Sequence, residues 1–272
     1  MDIDDILASV DRHDPTTPES TALDHQLLTR FWVAERGVSE LLPWPGPLMD
    51  RMMDRVRRQI ETIEDLAATS ADPLPSTSTT STTTTNTTIN LTLSILQTDL
   101  SRTQYTLRSL LRQRLSKLTK HSMHYLLRIS PPTTTQQTQS QTAEHDLRPE
   151  DSIPTVGQDA PHPPLSAPEV RFLVAHQHLL AKHYGDAFLG SFPPQLRRLD
   201  DNAGGTSMVQ GPEVREVVFV RCLVEEVRVV VPPGDGVEEE VVGGTAMRMG
   251  DVWAVRWEGV RDAWRRGEVE VL

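Results

Sequence analysis

The sequence predicts an α+β fold: a mainly α-helical N-terminal domain, built as a helical bundle, precedes a small β-rich C-terminal domain. Apolar residues recur at helical spacing from residue 19 to about residue 188. The later segment "REVVFVRCLVEEVRVVV" at 215–231 is rich in β-branched residues, which is typical of strands. An Asn-Ala-Gly-Gly run at 202–205 separates the two patterns. We therefore expect a peptide and linker at 1–18, a helical domain at 19–203 and a small β-rich domain at 204–272.

The N-terminal segment carries a short amphipathic helical pattern. Its apolar residues recur at i, i+3, i+4 and i+7 and so share one face: Ile3, Ile6, Leu7 and Val10. Carboxylates crowd the first turn, where they favour the positive end of the helix dipole: Asp2, Asp4 and Asp5. Pro15 and Pro18 end the pattern. A helix this short is marginal in water, so the residues alone leave open a frayed acidic terminus or a peptide that docks on a partner.

The helical domain is expected to contain long helices separated by low-complexity inserts. Helical spacing covers 19–42, 48–66, 91–129 and a segment that starts at Pro168. Ser166 should cap the last helix, with Glu169 as its capping-box partner. Segments at about 67–90 and 130–163 are rich in Ser, Thr, Pro or Gln and carry too few apolar residues to offset the entropy of ordering. We expect both to be disordered surface inserts.

The C-terminal domain is expected to consist of short strands with one brief helix. The alternation in "DVWAVRW" predicts a strand with Trp253, Val255 and Trp257 on one face. "EGVRDAWRRG" predicts one or two helical turns, and "EVEVL" predicts a final strand. Cys222, flanked by strand residues, is expected to be a small buried hydrophobic residue.

Composition narrows the classes of function. The net charge is −11 and no strongly basic half offsets it, which disfavours general binding to nucleic acid or to anionic membranes. The single cysteine, Cys222, cannot form an internal disulfide, which fits a reducing compartment. No apolar run approaches a membrane span, and the acidic N-terminus is unlike a signal peptide. We expect a soluble intracellular protein.

The chain offers no clear catalytic or metal-binding pattern. His176, His178 and His183 lie close together on one predicted helix, but no HExxH motif accompanies them. Surface or core histidines are the better interpretation, and a zinc enzyme that uses this cluster is a minority alternative. The glycine-rich segments lack the lysine and helix start of a phosphate-binding loop. We therefore predict a protein that is not an enzyme and needs no cofactor.

One stretch departs from the overall acidity. No acidic residue occurs between Asp99 and Glu144, whereas several basic residues do. They are Arg102, Arg108, Arg112, Arg114, Lys117, Lys120 and Arg128. Arginine can bind carboxylates with two parallel hydrogen bonds, so this stretch could face acidic side chains of a partner or of the chain itself. A solvated helix face is the alternative.

Several segments, in this order, resemble a known family. They are "RFWVAERGVSELLPWPGPLMDRMMDRVRRQIETIE", "SRTQYTLRSLLRQRLSKLTKH", "LSAPEVRFLVAHQHLL", "FPPQLRRLD" and "WRRGEVEVL". The chain is similar in them to the Sld-five family of GINS subunits, over nearly everything outside the two low-complexity inserts. The order of a helical domain before a β domain also matches this family and its Psf-one sister.

The resemblance implies a scaffold without catalytic activity. GINS contains four related subunits, so the expected partners are Psf-one, Psf-two and Psf-three. That tetramer joins Cdc-forty-five and the hexameric MCM motor in the replicative helicase, which implies a nuclear protein. A free-standing helical adaptor outside replication is the alternative. The partner-contacting residues expected outside the N-terminal segment are Arg108, Arg112, Arg114, Trp253, Trp257 and Leu272.

The resemblance also gives the N-terminal segment a role. "DIDDILASVD" is similar to the short peptide by which this subunit, in fungi, attaches to the trimeric adaptor Ctf-four. The residues expected to make that contact are Asp4, Asp5, Ile6, Leu7 and Val10. No sequence-specific contact with nucleic acid and no contact with a membrane is expected.

Overall fold

The computed structural model describes residues 18–71, 81–130, 149–154, 156, 163–193, 197, 199, 209–230 and 244–272. Its α-helices are α1 (Pro18–Gly37), α2 (Gly46–Ala71), α3 (Ser81–Lys120), α4 (Ser122–Ile129), α5 (Ala167–Ala187) and α6 (Trp257–Arg265). Its strands are β1 (Val217–Cys222), β2 (Glu226–Val229), β3 (Thr245–Arg248), β4 (Val252–Arg256) and β5 (Val269–Val271). Short 3-10 helices cover Pro149–Ser152 and Leu189–Ser191. The predicted fold class, helices first and a small strand-containing region last, is confirmed.

The helices extend into the segments that were predicted to be disordered. Helix α2 continues to Ala71 and α3 already begins at Ser81, so the insert predicted at about 67–90 is wrong at both ends. Threonine hydroxyls in these ends donate to the carbonyl one turn earlier, as Thr92 does to Thr88 at 2.9 Å. Low apolar content therefore did not exclude helical structure in these ends. Residues 72–80 lie outside the described residues.

The second predicted insert also contains folded structure. Within 130–163, the 3-10 helix Pro149–Ser152 is followed by Ile153, which is buried in the same apolar cluster as α4 and α5. The partly buried Val156 also packs against that cluster, so apolar contacts accompany the order of this short segment. Residues 131–148 lie outside the described residues.

A break interrupts the helix that was predicted over 91–129. His121 leaves helical geometry, with φ −118° and ψ 36°, so α3 ends at Lys120 and α4 starts at Ser122. The Nδ1 atom of His121 lies 3.1 Å from the Gln210 carbonyl oxygen, so a tertiary contact accompanies the break. The apolar periodicity runs through the break, which is why the sequence did not reveal it.

The described residues divide into two compact units, one within the ranges 1–34 and 45–112 and one within 35–44 and 113–272. In the first unit, α1 and α2 are joined by Asp24, a buried carboxylate that bonds Arg51 at 2.9 Å and Arg55 at 3.0 Å. The amide of Gln59 in α2 donates to the Leu96 carbonyl of α3 at 3.0 Å. The boundary expected near residue 203 falls inside the second unit.

The second unit holds an apolar cluster. It is formed by Leu41, Leu118, Tyr125, Leu126, Ile153, Leu165, Val170, Leu173, Val174 and Ala181. The N-terminus of α5 has the predicted capping box, in which the Ser166 N–H donates to the Glu169 carboxylate at 2.9 Å. The cap thus fixes where α5 starts and directs Val170 and Leu173 into the cluster.

Residues 209–230 and 244–272, here called the C-terminal region, contain both sheets. One sheet has the antiparallel order β4-β1-β5 and the other pairs β2 with β3. Strand β1 alternates, with Val218, Val220 and Cys222 buried and the residues between them exposed. Cys222 is therefore the buried residue that was predicted. Helix α6 packs under the sheets through Trp257, Val260 and Ala263.

Tyr125 gives the second unit a measurable pH dependence. Its hydroxyl accepts a hydrogen bond from the buried Leu41 N–H at 2.9 Å, and burial raises the pKa of Tyr125 to about 12. A raised pKa stabilises the fold below the unfolded value of about 10, and that contribution is lost as the pH rises from about 10 to about 12.

Replacing Tyr125 by Phe should therefore flatten the loss of stability in this alkaline range. It should also lower the free energy of unfolding at pH 8 by about 1–3 kcal/mol, because the Leu41 N–H loses its acceptor. Urea denaturation at pH 8 and pH 11 measures both effects. Tyr105→Phe is the control, since Tyr105 is 66% exposed; equal behaviour of the two variants would contradict the assignment.

Candidate functional site

A cluster of buried charges stands at the centre of the second unit. We call Glu35, Arg114, Lys117 and Glu169 the Arg114 cluster. The guanidinium of Arg114 donates from Nε and an Nη atom to both oxygens of Glu169, at 2.7 and 3.0 Å. Its other Nη atom donates to Glu35 at 3.0 Å and to the Leu42 carbonyl at 2.8 Å. This bidentate geometry is the strongest form of arginine–carboxylate pairing.

Lys117, one turn of α3 after Arg114, completes the Arg114 cluster. Its Nζ donates to the second oxygen of Glu35 at 2.7 Å and to the Glu40 carbonyl at 2.9 Å. Glu35 thus bridges two cations that lie three residues apart. The ring of Trp44 covers the guanidinium, with its centroid 5.2 Å from the Arg114 carbon.

Burial lowers the pKa of both cations of the Arg114 cluster, but the net shifts of the two pKa values are opposite. Burial opposes the charge of Arg114, but the carboxylates of Glu169 and Glu35 outweigh it, so the pKa of Arg114 is raised. For Lys117 burial dominates over Glu35, with a smaller contribution from the positive Arg114, and the pKa is lowered. Arg114 therefore remains charged and is the fixed point of the cluster.

This geometry corrects the role expected for Arg114. The residue was predicted to contact a partner, but its side chain is fully buried and its guanidinium is bound to Glu35, Glu169 and Leu42 of the same chain. Arg114 and Lys117 fit the alternative, in which the basic stretch faces acidic side chains of the chain itself. Arg108 and Arg112 do not fit it.

Arg108 and Arg112 lie on the exposed side of α3. Both side chains are exposed, and neither makes an ion pair with any residue that the structure describes. Apolar side chains flank them, because Tyr105 is 66% and Leu111 39% exposed. We call these four residues the Arg108 surface. An exposed mixture of arginine and apolar side chains is typical of protein interfaces.

The chain was compared with known proteins. The family described as "GINS complex protein helical bundle domain" matches residues 60–188, and "DNA replication complex GINS protein SLD5 C-terminus" matches residues 212–272. The DNA replication complex GINS protein SLD5 of Chaetomium globosum is 32% identical over 276 residues, which cover 100% of both chains. The chain belongs to the SLD5 family.

Two further SLD5 relatives support the assignment. The protein of the same name from Yarrowia lipolytica is 32% identical over 238 residues, covering 87% of this chain and 75% of the relative. That from Schizosaccharomyces pombe is 29% identical over 275 residues, covering 100% and 99%. The resemblance stated from the sequence motifs is thus confirmed, and the chain is similar to subunits of a DNA replication complex.

The two tryptophans predicted on one strand face of this SLD5-family chain do not share it. Trp253 lies in β4, opposite the buried Val220 of β1, and is half-buried. Trp257 is the first residue of α6, is 1% exposed and donates from Nε1 to the Glu40 carboxylate at 3.0 Å. The alternation stops because the chain turns into a helix at Trp257. As a buried side chain, Trp257 stabilises its own chain and cannot contact a partner from this position.

Leu272 lies on the other side of the same sheet. Its N–H donates to the Phe219 carbonyl, and its side chain is 44% exposed. Opposed residues of paired strands share a face, so the pairing of Val220 with Val271 places Leu272 beside the exposed Phe219. Trp253 and Leu272 therefore occupy opposite faces and form no common site.

The other predicted features have clear placements. The peptide residues Asp4, Asp5, Ile6, Leu7 and Val10 lie outside the described residues. His176, His178 and His183 lie on α5, where the ring of His176 stacks on Phe172. No group of three metal-ligating side chains occurs among the residues that the structure describes. Within the same residues, no helix is long and apolar enough to cross a membrane.

Sequence reasoning missed the carboxylates that hold this unit together. Glu35 stands seven residues after Leu28, so both lie on the buried side of α1, and a charged residue on such a side is the signal that could have found it. Glu169 was identified only as a capping residue. Glu40 gave no signal, because its three side-chain donors come from distant parts of the chain.

Proposed function

We propose that this chain is a non-catalytic structural subunit of a GINS complex, assembled with Psf-one, Psf-two and Psf-three. In this role it belongs to the replicative helicase, with Cdc-forty-five and the MCM hexamer, and supports initiation and elongation of DNA replication in the nucleus. The observation that carries the proposal is the similarity over the whole chain to the Chaetomium globosum protein.

The Arg108 surface is the proposed contact with another subunit. Its arginines are exposed and make no ion pair within the described residues, while the chain as a whole carries a net charge of −11. A partner helix that presents carboxylates together with apolar side chains would satisfy both components of this surface. Arginine suits such a contact because it binds carboxylates bidentately and is weakly hydrated.

Charge reversal tests this contact. Arg108→Glu combined with Arg112→Glu should weaken assembly with the other subunits by at least about tenfold, because like charges would then face each other across the interface. Affinity purification of the co-expressed subunits, quantified by mass spectrometry, measures the loss. The matched control is Arg171→Glu with Lys182→Glu, which reverses two exposed charges on α5. Equal recovery of both double variants would contradict the proposal.

The exposed face of the β4-β1-β5 sheet is a second proposed contact. Phe219 is 60%, Val252 49% and Leu272 44% exposed, and these apolar side chains are neighbours across the three strands. Leu272 is thus a proposed partner residue on this face. Trp253, on the opposite face and half-buried, is proposed to contribute at the edge strand β4.

We further propose that the N-terminal peptide attaches the complex to the trimeric adaptor Ctf-four. Burial of Ile6 and Leu7 would contribute roughly 1.5–3 kcal/mol each, against about 1 kcal/mol or more for each residue that becomes ordered. A single peptide should therefore bind weakly, on the order of micromolar. A trimer with several peptide sites would strengthen attachment through effective concentration.

Substitution of the two apolar residues tests the peptide separately from assembly. Ile6→Ala with Leu7→Ala should abolish adaptor binding in a pull-down with purified Ctf-four, while recovery of the other GINS subunits stays unchanged. Asp11→Asn with Asp14→Asn serves as a control outside the apolar face. If the alanine variant also loses the GINS subunits, the segment is part of the fold and the docking proposal is wrong.

A further inference from the structure

Glu40 is a buried carboxylate that receives donors from two separate helices. It follows α1 in the connection to α2 and is 4% exposed. One oxygen lies 2.8 Å from an Nη atom of Arg261 and 3.3 Å from one of Arg128. The other accepts from Nε1 of Trp257 at 3.0 Å. Trp257 and Arg261 belong to α6 of the C-terminal region and Arg128 belongs to α4, all within the second unit.

The residues just before Glu40 contact the same region. A Cβ added at Gly37 would stand 3.0 Å from Cγ1 of Val271 in β5, so the absence of a side chain permits this approach. The Ser39 hydroxyl donates to the Glu216 carboxylate, next to β1. Residues 37–40 therefore form one platform against β1, β5 and α6, and we call it the 37–40 platform.

The platform is itself anchored to the helices. The backbone carbonyl of Glu40 accepts from Nζ of Lys117 at 2.9 Å, and Lys117 belongs to the Arg114 cluster. The Glu40 side chain thus faces the C-terminal region while its backbone is held by α3. This arrangement joins the charge cluster to the strand-containing region through one residue.

The contact between the 37–40 platform and α6 depends on the negative charge of Glu40. Removal of one partner of a buried ion pair leaves the other without compensation, which is strongly unfavourable. Glu40 is the only carboxylate that pairs with Arg261 among the described residues, and the Nε atom of Arg261 is buried without an acceptor there. No apolar substitute on the platform would satisfy both Arg261 and the indole N–H.

We propose that Glu40 is a positioning residue that docks the C-terminal region onto the helices of the second unit, and that loss of its charge releases the region without unfolding it. The region has buried contacts of its own, since Met247 of β3 lies opposite Val227 of β2 and both are buried. Exposure of Met247 therefore reports on folding of the region, and exposure of Trp257 on its docking. The proposal does not depend on the proposed function.

Oxidative footprinting with mass spectrometry tests the proposal on the full-length chain, in the complex with which it purifies. In Glu40→Gln, oxidation of Trp257 should rise by at least about tenfold, because the uncharged amide leaves Arg261 without its ion pair and the region then leaves the platform. Oxidation of Met247 should stay unchanged, because it reports on the core of the region. Glu268→Gln is the control: it removes an exposed pair with Arg266 in the same region and should change neither.

A second variant tests whether Glu40 acts through its pair with Arg261. Arg261→Met should raise Trp257 oxidation less than Glu40→Gln, and the double variant should exceed Glu40→Gln alone by little, because the two residues act as one pair. Unchanged Trp257 oxidation in Glu40→Gln, or fully additive effects, would overturn the proposal. A parallel rise at Met247, or failure of both single variants to fold, would also overturn it, because Glu40 would then hold the core and not the docking.

Discussion

Replacing Arg114 by methionine should lower the free energy of unfolding by about 3–5 kcal/mol, the usual cost of breaking a buried ion pair. The substitution keeps most of the side-chain volume but leaves Glu169 and the Leu42 carbonyl without the donors they have at 2.7 and 2.8 Å. Glu35 retains Lys117, which keeps the effect from being larger. Urea denaturation followed by circular dichroism, at one fixed protein concentration in the complex, measures the change.

Arg171→Met is the control for this substitution. Arg171 lies on α5 outside the Arg108 surface, is exposed and makes no ion pair within the described residues, so the expected change is within about 0.5 kcal/mol. A similar loss for both variants would show that the Arg114 cluster contributes nothing specific. A loss confined to Arg114 would establish it as an internal cation.

Replacing Leu173 by alanine should cost about 2–5 kcal/mol, because its side chain is fully buried in the apolar cluster of the second unit. The cavity would open within this cluster, where the backbone at Leu41 is fixed by the Tyr125 hydrogen bond. The same denaturation measurement applies.

Leu179→Ala on the same helix removes the same atoms from a side chain that is 67% exposed. It should change the free energy of unfolding by no more than about 0.5 kcal/mol. If Leu179→Ala proved as destabilising as Leu173→Ala, the orientation of α5 in the second unit would be wrong.

Local patterns predicted what depends on neighbours in sequence. The helical spacing, the capping box of Ser166 and Glu169 and the burial of Cys222 follow from residues a few positions apart, and the structure contains all three. Predictions from composition alone were less reliable. Threonine-rich ends of α2 and α3 are helical although their count of apolar residues predicted disorder, and their hydroxyls donate to carbonyls of the preceding turn.

The candidate site is built from contacts between residues far apart in the sequence, which local sequence patterns do not predict. Arg114 stands at helical spacing from the buried Leu110 and Leu118, so its position on α3 was a signal of burial, but its partners 55 and 79 positions away could not be read from the sequence. Trp257 continues the alternation of β4 and yet starts a helix, and its indole donates to Glu40, which is 217 residues away. The resemblance to GINS subunits identified the family, but it assigned Arg114 and Trp257 to a surface they do not occupy.

The central claim is that this chain acts by binding related subunits, and co-expression tests it most directly. The full-length chain should be made alone and together with Psf-one, Psf-two and Psf-three, and each preparation examined by size-exclusion chromatography with light scattering. We expect aggregation of the chain made alone and a soluble complex with one copy of each subunit when all four are present. A monodisperse monomer that remains a monomer beside the three subunits would contradict the claim.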